Sequence, residues 1–86
     1  MMKILIAEDE IYARKSMKKQ IMELDFGREF HILEAQNGEQ GLALVRQEEP
    51  DLVFTDIRMP KMDGLELLRE IKREDPEAKV IMVSAY

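Results

Sequence analysis

Three of the four apolar runs in this chain are unbroken: Ile4-Leu5-Ile6-Ala7, Leu52-Val53-Phe54 and Val80-Ile81-Met82-Val83. A strand with one wet face alternates apolar and polar residues, whereas an unbroken run suits a strand of a parallel sheet covered by helices on both sides. The remaining run, Phe30-His31-Ile32-Leu33, is more mixed and is expected at a sheet edge. Helix-period segments separate the runs. From Ile11 to Leu24, Ala13, Met17, Ile21 and Leu24 recur at three- and four-residue steps, with Lys15, Lys18, Lys19 and Glu23 opposite them. A second segment, Glu39 to Glu49, carries Leu42, Leu44 and Val45 and stops at Pro50, because proline disfavours helical geometry in the residue before it. A third, Gly64 to Glu74, is expected to turn Leu65, Leu68 and Ile71 inward and ends at Asp75-Pro76. Turns are expected at Asn37-Gly38 and from Arg58 to Asp63. Strands alternating with helices in this way imply parallel β-α-β units with right-handed crossovers.

Eighty-six residues leave room for one small domain with a thin core. A net charge of −5 disfavours direct binding of DNA or RNA. The absence of cysteine removes disulfides, thiolate nucleophiles and sulfur-bound zinc, and the single histidine, His31, cannot build an imidazole cluster. The first apolar run passes directly into Glu8-Asp9-Glu10 rather than a signal-peptide cleavage region, so the chain is expected in the cytoplasm. No run approaches the ~20 apolar residues of a membrane span.

Binding sites of open parallel sheets form beyond the carboxyl ends of the strands. Glu8 and Asp9 follow the first run, Asp56 follows the third, and Ser84 follows the fourth. Taken singly, each acid reads as a helix cap or loop residue. Their joint placement is more informative: neighbouring strands lie about 4.8 Å apart, so pairing of the first and third runs would bring three carboxylates to one rim. Such groups repel one another unless a cation joins them. Oxygen-only donors favour Mg²⁺ (or Mn²⁺) over zinc, and a site completed by waters leaves coordination open for phosphate.

These residues carry a family resemblance. Glu8-Asp9-Glu10, then Asp56-Ile57-Arg58-Met59-Pro60-Lys61-Met62-Asp63-Gly64, then Ser84-Ala85 stand in the order and register found in receiver domains of two-component response regulators. The chain resembles that family, and its strands look most like receivers joined to AraC-type transcription factors. The resemblance implies a flavodoxin-like α/β fold with strand order 2-1-3-4. It also implies Asp56 as the phosphoacceptor, with a sensor histidine kinase as donor. Glu8, Asp9, Asp56 and the backbone carbonyl of Arg58 would hold Mg²⁺, and Ser84 would be the switch hydroxyl. Where this chain has Glu8, family members often have Asp, so the longer side chain could shift one ligand. Such a module is not an enzyme in its own right, and a DNA-binding output domain is expected in the parent protein. An aspartate-based phosphatase of the haloacid dehalogenase type would want a second acid where Arg58 stands.

Receivers have five βα units, whereas residues 1–86 cover the first four strands and three helices. The fifth-strand lysine of the family has no counterpart here, since Lys61 and Lys79 lie in other elements. The chain therefore reads as the amino-terminal part of a receiver, or as a signalling-incompetent fragment. Its fourth strand is expected to be shielded by self-association, swapping or a partner chain.

Overall fold

The computed structural model describes residues 1–83 and places β1 (Met2–Ala7) at the centre of a four-stranded parallel sheet. β2 (Phe30–Ala35) lies on one side of β1 and β3 (Leu52–Asp56) on the other, with β4 (Val80–Val83) outside β3. The order 2-1-3-4 is the one the family resemblance implied, and β2 takes the edge position expected from its mixed run. Three helices connect the strands: α1 (Ile11–Met22), α2 (Gly38–Glu48) and α3 (Gly64–Glu74).

Two apolar clusters hold the layers together. Leu5, Ala7 and Val53 meet Ala35, Leu42, Leu67 and Ile71 on the side of α2 and α3. Met2, Ile4 and Ile6 meet Ile21 on the side of α1, with Met17, Phe26, Phe30, Ile32, Leu52 and Phe54 packed around them. Ile4, Leu5, Ile6 and Ala7 are wholly excluded from solvent, which explains the unbroken first run. Full burial of an Ile or Leu side chain contributes about 1.5–3 kcal/mol, so this strand anchors both layers.

Helix starts are set by short-range chemistry. Asn37 accepts from Gln40 N–H at 2.8 Å to open α2, and Asp63 accepts from Glu66 N–H at 2.9 Å to open α3. Each side chain satisfies one of the unpaired amides that every helix start leaves exposed. The turn expected at Asn37-Gly38 is this cap.

Two expected inward residues point outward. Leu24 is 52% exposed, because α1 stops at Met22 and helical spacing no longer governs the residues beyond it. Leu65 is 49% exposed, and the buried residues of α3 are Gly64, Leu67 and Ile71. Both registers satisfy three-and-four spacing. The choice is made at Gly64, whose N–H donates to the Ile57 carbonyl at 2.8 Å. A Cβ at Gly64 would collide with the Asp56 carbonyl, so that face of α3 must lie against the end of β3.

Candidate functional site

The site is built where β1 and β3 end side by side. Ala7 is in register with Thr55, so the next residues of the two strands, Glu8 and Asp56, emerge together. Glu8 N–H donates to the Ala35 carbonyl at 3.0 Å, extending the β1–β2 ladder one step past the strand. Its carboxylate is buried, at 4% exposure, and Oε2 accepts from Glu10 N–H at 2.9 Å. Asp56 Oδ1 accepts from Ile57 N–H at 2.8 Å, and the buried Thr55 hydroxyl donates to the Asp56 carbonyl at 2.9 Å.

Glu8, Asp9 and Asp56 each present a carboxylate oxygen, and the three oxygens lie within 4.8 Å of one another. Among the described residues, no lysine or arginine forms an ion pair with any of them. The consequence appears at Glu8, whose pKa is pushed up to about 7. Burial is the main cause, partly opposed by the Glu10 N–H, and the neighbouring Asp9 and Asp56 raise it further. A buried carboxylate that holds its proton so tightly has no cation paired with it among the described residues. A hard divalent cation with oxygen ligands fits that need, and the donor set contains no nitrogen or sulfur.

Glu10 belongs elsewhere. Its carboxylate turns toward α1 and accepts from Tyr12 N–H at 3.1 Å and Ala13 N–H at 2.8 Å, capping that helix. Arg58 stands exposed in the loop after Ile57, two residues beyond Asp56. Ser84 lies outside the described residues.

One residue beside the site was not singled out from the sequence. Arg14 is buried, at 8% exposure, and its guanidinium donates to the Glu8 backbone carbonyl at 2.8 Å and to Glu34 at 3.1 Å. A sequence signal existed: Arg14 precedes Met17 by three residues and Ile21 by seven, which places a cation on the apolar stripe of α1.

A parallel sheet in the order 2-1-3-4 with helices on both faces is that of the flavodoxin-like class of α/β proteins, and the three acids stand at the carboxyl ends of its two central strands, where that class binds ligands. Within that class the chain belongs to the response regulator receiver domain family, whose pattern residues 4–86 match. It is 42% identical over 85 residues to the chemotaxis protein CheY of Listeria monocytogenes, covering 99% of this chain and 69% of that protein. Among solved structures it is similar to the response regulator protein TrrA of Thermotoga maritima in complex with Mg²⁺ and BeF, with 36% identity and a TM-score of 0.88 over 100% of this chain and 71% of that one. It is also similar to a two-component AraC transcriptional regulator of Clostridium phytofermentans, with 32% identity and a TM-score of 0.80 over 100% of this chain and 68% of that one. The chain thus spans about two thirds of these relatives. Receiver domains are in general phosphoacceptor modules of signalling proteins rather than enzymes.

Proposed function

We propose that this chain carries the phosphoacceptor site of a two-component response regulator, in which Asp56 takes a phosphoryl group from the phosphohistidine of a sensor histidine kinase in a Mg²⁺-dependent step. The reading rests on one observation above the others: three carboxylates converge within 4.8 Å and form no ion pair among the described residues. Glu8, Asp9 and Asp56 would hold Mg²⁺ (or Mn²⁺), with the Arg58 carbonyl as a further ligand. The bound ion would offset the rim's negative charge and leave coordination positions for phosphoryl oxygens.

Asp56 needs no general base, because an ionised carboxylate is already a nucleophile. Its Oδ1 is held by Ile57 N–H, which leaves Oδ2 to attack phosphorus. The new oxygen–phosphorus bond forms as the donor's phosphorus–nitrogen bond breaks in line, and the leaving imidazole takes up a proton to become neutral. Each chain accepts one phosphoryl group, so the module is altered by the reaction rather than turning over. Ser84 is the hydroxyl assigned to meet the new phosphoryl oxygens and bias the following segment, through which a DNA-binding output domain in the parent protein would be controlled.

Intact mass after incubation with acetyl phosphate and Mg²⁺ is expected to rise by one phosphoryl group. Asp56→Asn and chelation of the metal should each abolish the gain. An unmodified wild-type chain would overturn the proposal.

A second reading, self-association through β4, is favoured by the exposed side of that strand. Ile81 is 43% exposed, and an apolar groove beside it runs between α1 and β3–β4, lined by Met17, Ile21, Leu24, Phe54 and Val83. Light scattering after size exclusion decides: a cooperative-melting monomer rules this reading out, and a concentration-dependent dimer supports it.

A further inference from the structure

Burying a guanidinium is costly, and an apolar side chain on the inward stripe of α1 would pack more cheaply than Arg14. What Arg14 does in return is specific. Its Nη1–H donates to the Glu8 carbonyl at 2.8 Å, and its Nε–H donates at 3.1 Å to Glu34 on β2, which also accepts from Lys18 at 3.4 Å. The carbonyl it holds lies beyond the last β1–β3 register pair, Ala7 with Thr55, where pairing with β3 no longer fixes the backbone and only the bond from Glu8 N–H to Ala35 remains of the ladder.

That carbonyl belongs to the peptide plane joining Glu8 to Asp9. The plane is rigid, so clamping its oxygen orients the backbone on both sides, and with it the two neighbouring carboxylates. Three constraints then meet at one residue: Ala35 holds the Glu8 N–H, Glu10 holds its carboxylate, and Arg14 holds its carbonyl. Remove the third and the Glu8–Asp9 plane is free to rotate.

We propose that Arg14, anchored by Glu34, is a positioning residue that locks the Glu8–Asp9 peptide plane and thereby sets the divalent-cation affinity of the acidic rim. This inference rests on the cation site proposed for Glu8, Asp9 and Asp56.

Charge and position make opposite predictions, which gives the proposal a clean test. If Arg14 acted only as a nearby positive charge, deleting it would tighten cation binding. If it acts by orienting the ligands, deleting it loosens binding, and lysine fails to rescue because one ammonium cannot reproduce the two-branched fork. The experiment is calorimetric titration of the full chain with MgCl₂ at pH 8. Wild type, Arg14→Lys, Arg14→Met and Arg46→Met at the far end of the sheet are compared, each with its melting temperature recorded without metal. Both Arg14 variants are expected to bind Mg²⁺ about tenfold more weakly, in the range seen when outer-shell partners of metal ligands are removed, while Arg46→Met binds as wild type. Arg14→Met takes the partner from the Glu8 carbonyl and from Glu34 and is expected to lower the melting temperature, while the unbranched methionine keeps the apolar stripe of α1 filled and the melting cooperative. Wild-type affinity in Arg14→Lys with tighter binding in Arg14→Met reduces the effect to charge and overturns the proposal, as does unchanged affinity in both. A wild-type chain that does not bind Mg²⁺ is a distinct result: it removes the cation site itself, and the role of Arg14 falls with it.

Discussion

The two ends of the sheet use the same acidic residue type in opposite ways. At the amino-terminal end the acids are matched: Asp51 accepts from Lys3 N–H at 2.8 Å, Glu48 meets Lys3 Nζ at 3.2 Å, and Glu74 meets Arg46 at 2.6 Å. The hydrogen bond from Arg46 holds the Glu74 carboxyl below its ordinary range. At the carboxyl-terminal end, Glu8, Asp9 and Asp56 face one another, and Glu8 is pushed up to about 7. At the carboxyl-terminal end Arg14 and Lys18 are taken up by Glu34, and among the described residues Glu8, Asp9 and Asp56 have no ion-pair partner. The contrast lies in partners rather than in composition, and it is a reason to look for function at the second end.

The strongest way to break this contrast is to titrate it. Glu8 has a folded pKa of about 7 against 4.5 unfolded, so the folded state binds its proton more tightly. The stability this contributes is complete below pH 4.5 and is lost as pH rises through 7. Without divalent cations, stability is expected to fall by about 3 kcal/mol across that window, measured by urea unfolding. Glu8→Gln should flatten the slope, and added Mg²⁺ should restore stability at the alkaline side. A wild-type curve that rises with pH in the absence of metal would contradict the assignment.

Smaller perturbations sharpen the comparison. Gly64→Ala forces a methyl group against the Asp56 carbonyl and is expected to cost about 2 kcal/mol, with weaker Mg²⁺ binding because the Asp56 backbone must shift. Asp51→Ala removes the acceptor for Lys3 N–H and is expected to cost about 1 kcal/mol while leaving the Mg²⁺ response intact. Glu74→Gln should have the least effect, since its pair with Arg46 is exposed. Its sign is the reverse of Glu8: a lowered carboxyl stabilises above its unfolded pKa and loses that contribution as pH falls. Melting at pH 7 and at pH 3 in low salt separates the two directions.

Much of this was legible in the sequence, because parallel strands and amphipathic helices leave strong local signatures. The limits of α3 were read as they stand, and those of β4 as well. The convergence of Glu8, Asp9 and Asp56 depended on β1 pairing with β3; unbroken apolar runs mark strands covered on both faces, and the order that sets these two side by side came with the family resemblance. Three features were hidden, each decided by a partner distant in sequence or by local geometry. Leu67 rather than Leu65 faces inward because Gly64 must touch the end of β3. Arg14 is buried because a strand-end carbonyl and Glu34 satisfy it, and neither pairing is displayed by helical spacing. Glu10 follows Glu8 and Asp9 directly in sequence yet turns away to cap α1, which its hydrogen bonds from Tyr12 N–H and Ala13 N–H reveal.

The stretch between Asp56 and Gly64 is fastened at several points. Gly64 N–H grips the Ile57 carbonyl at 2.8 Å, and Gly38 N–H, at the start of α2, grips the Met62 carbonyl at 3.1 Å. Surface loops ordinarily absorb added or deleted residues with little penalty. Here even one extra residue would break the spacing of those grips, tearing α3 from the end of β3 or α2 from the loop. The length of this segment is therefore under the same geometric constraint as a strand register, and chains sharing this architecture should vary in the wording of the loop far more than in its residue count.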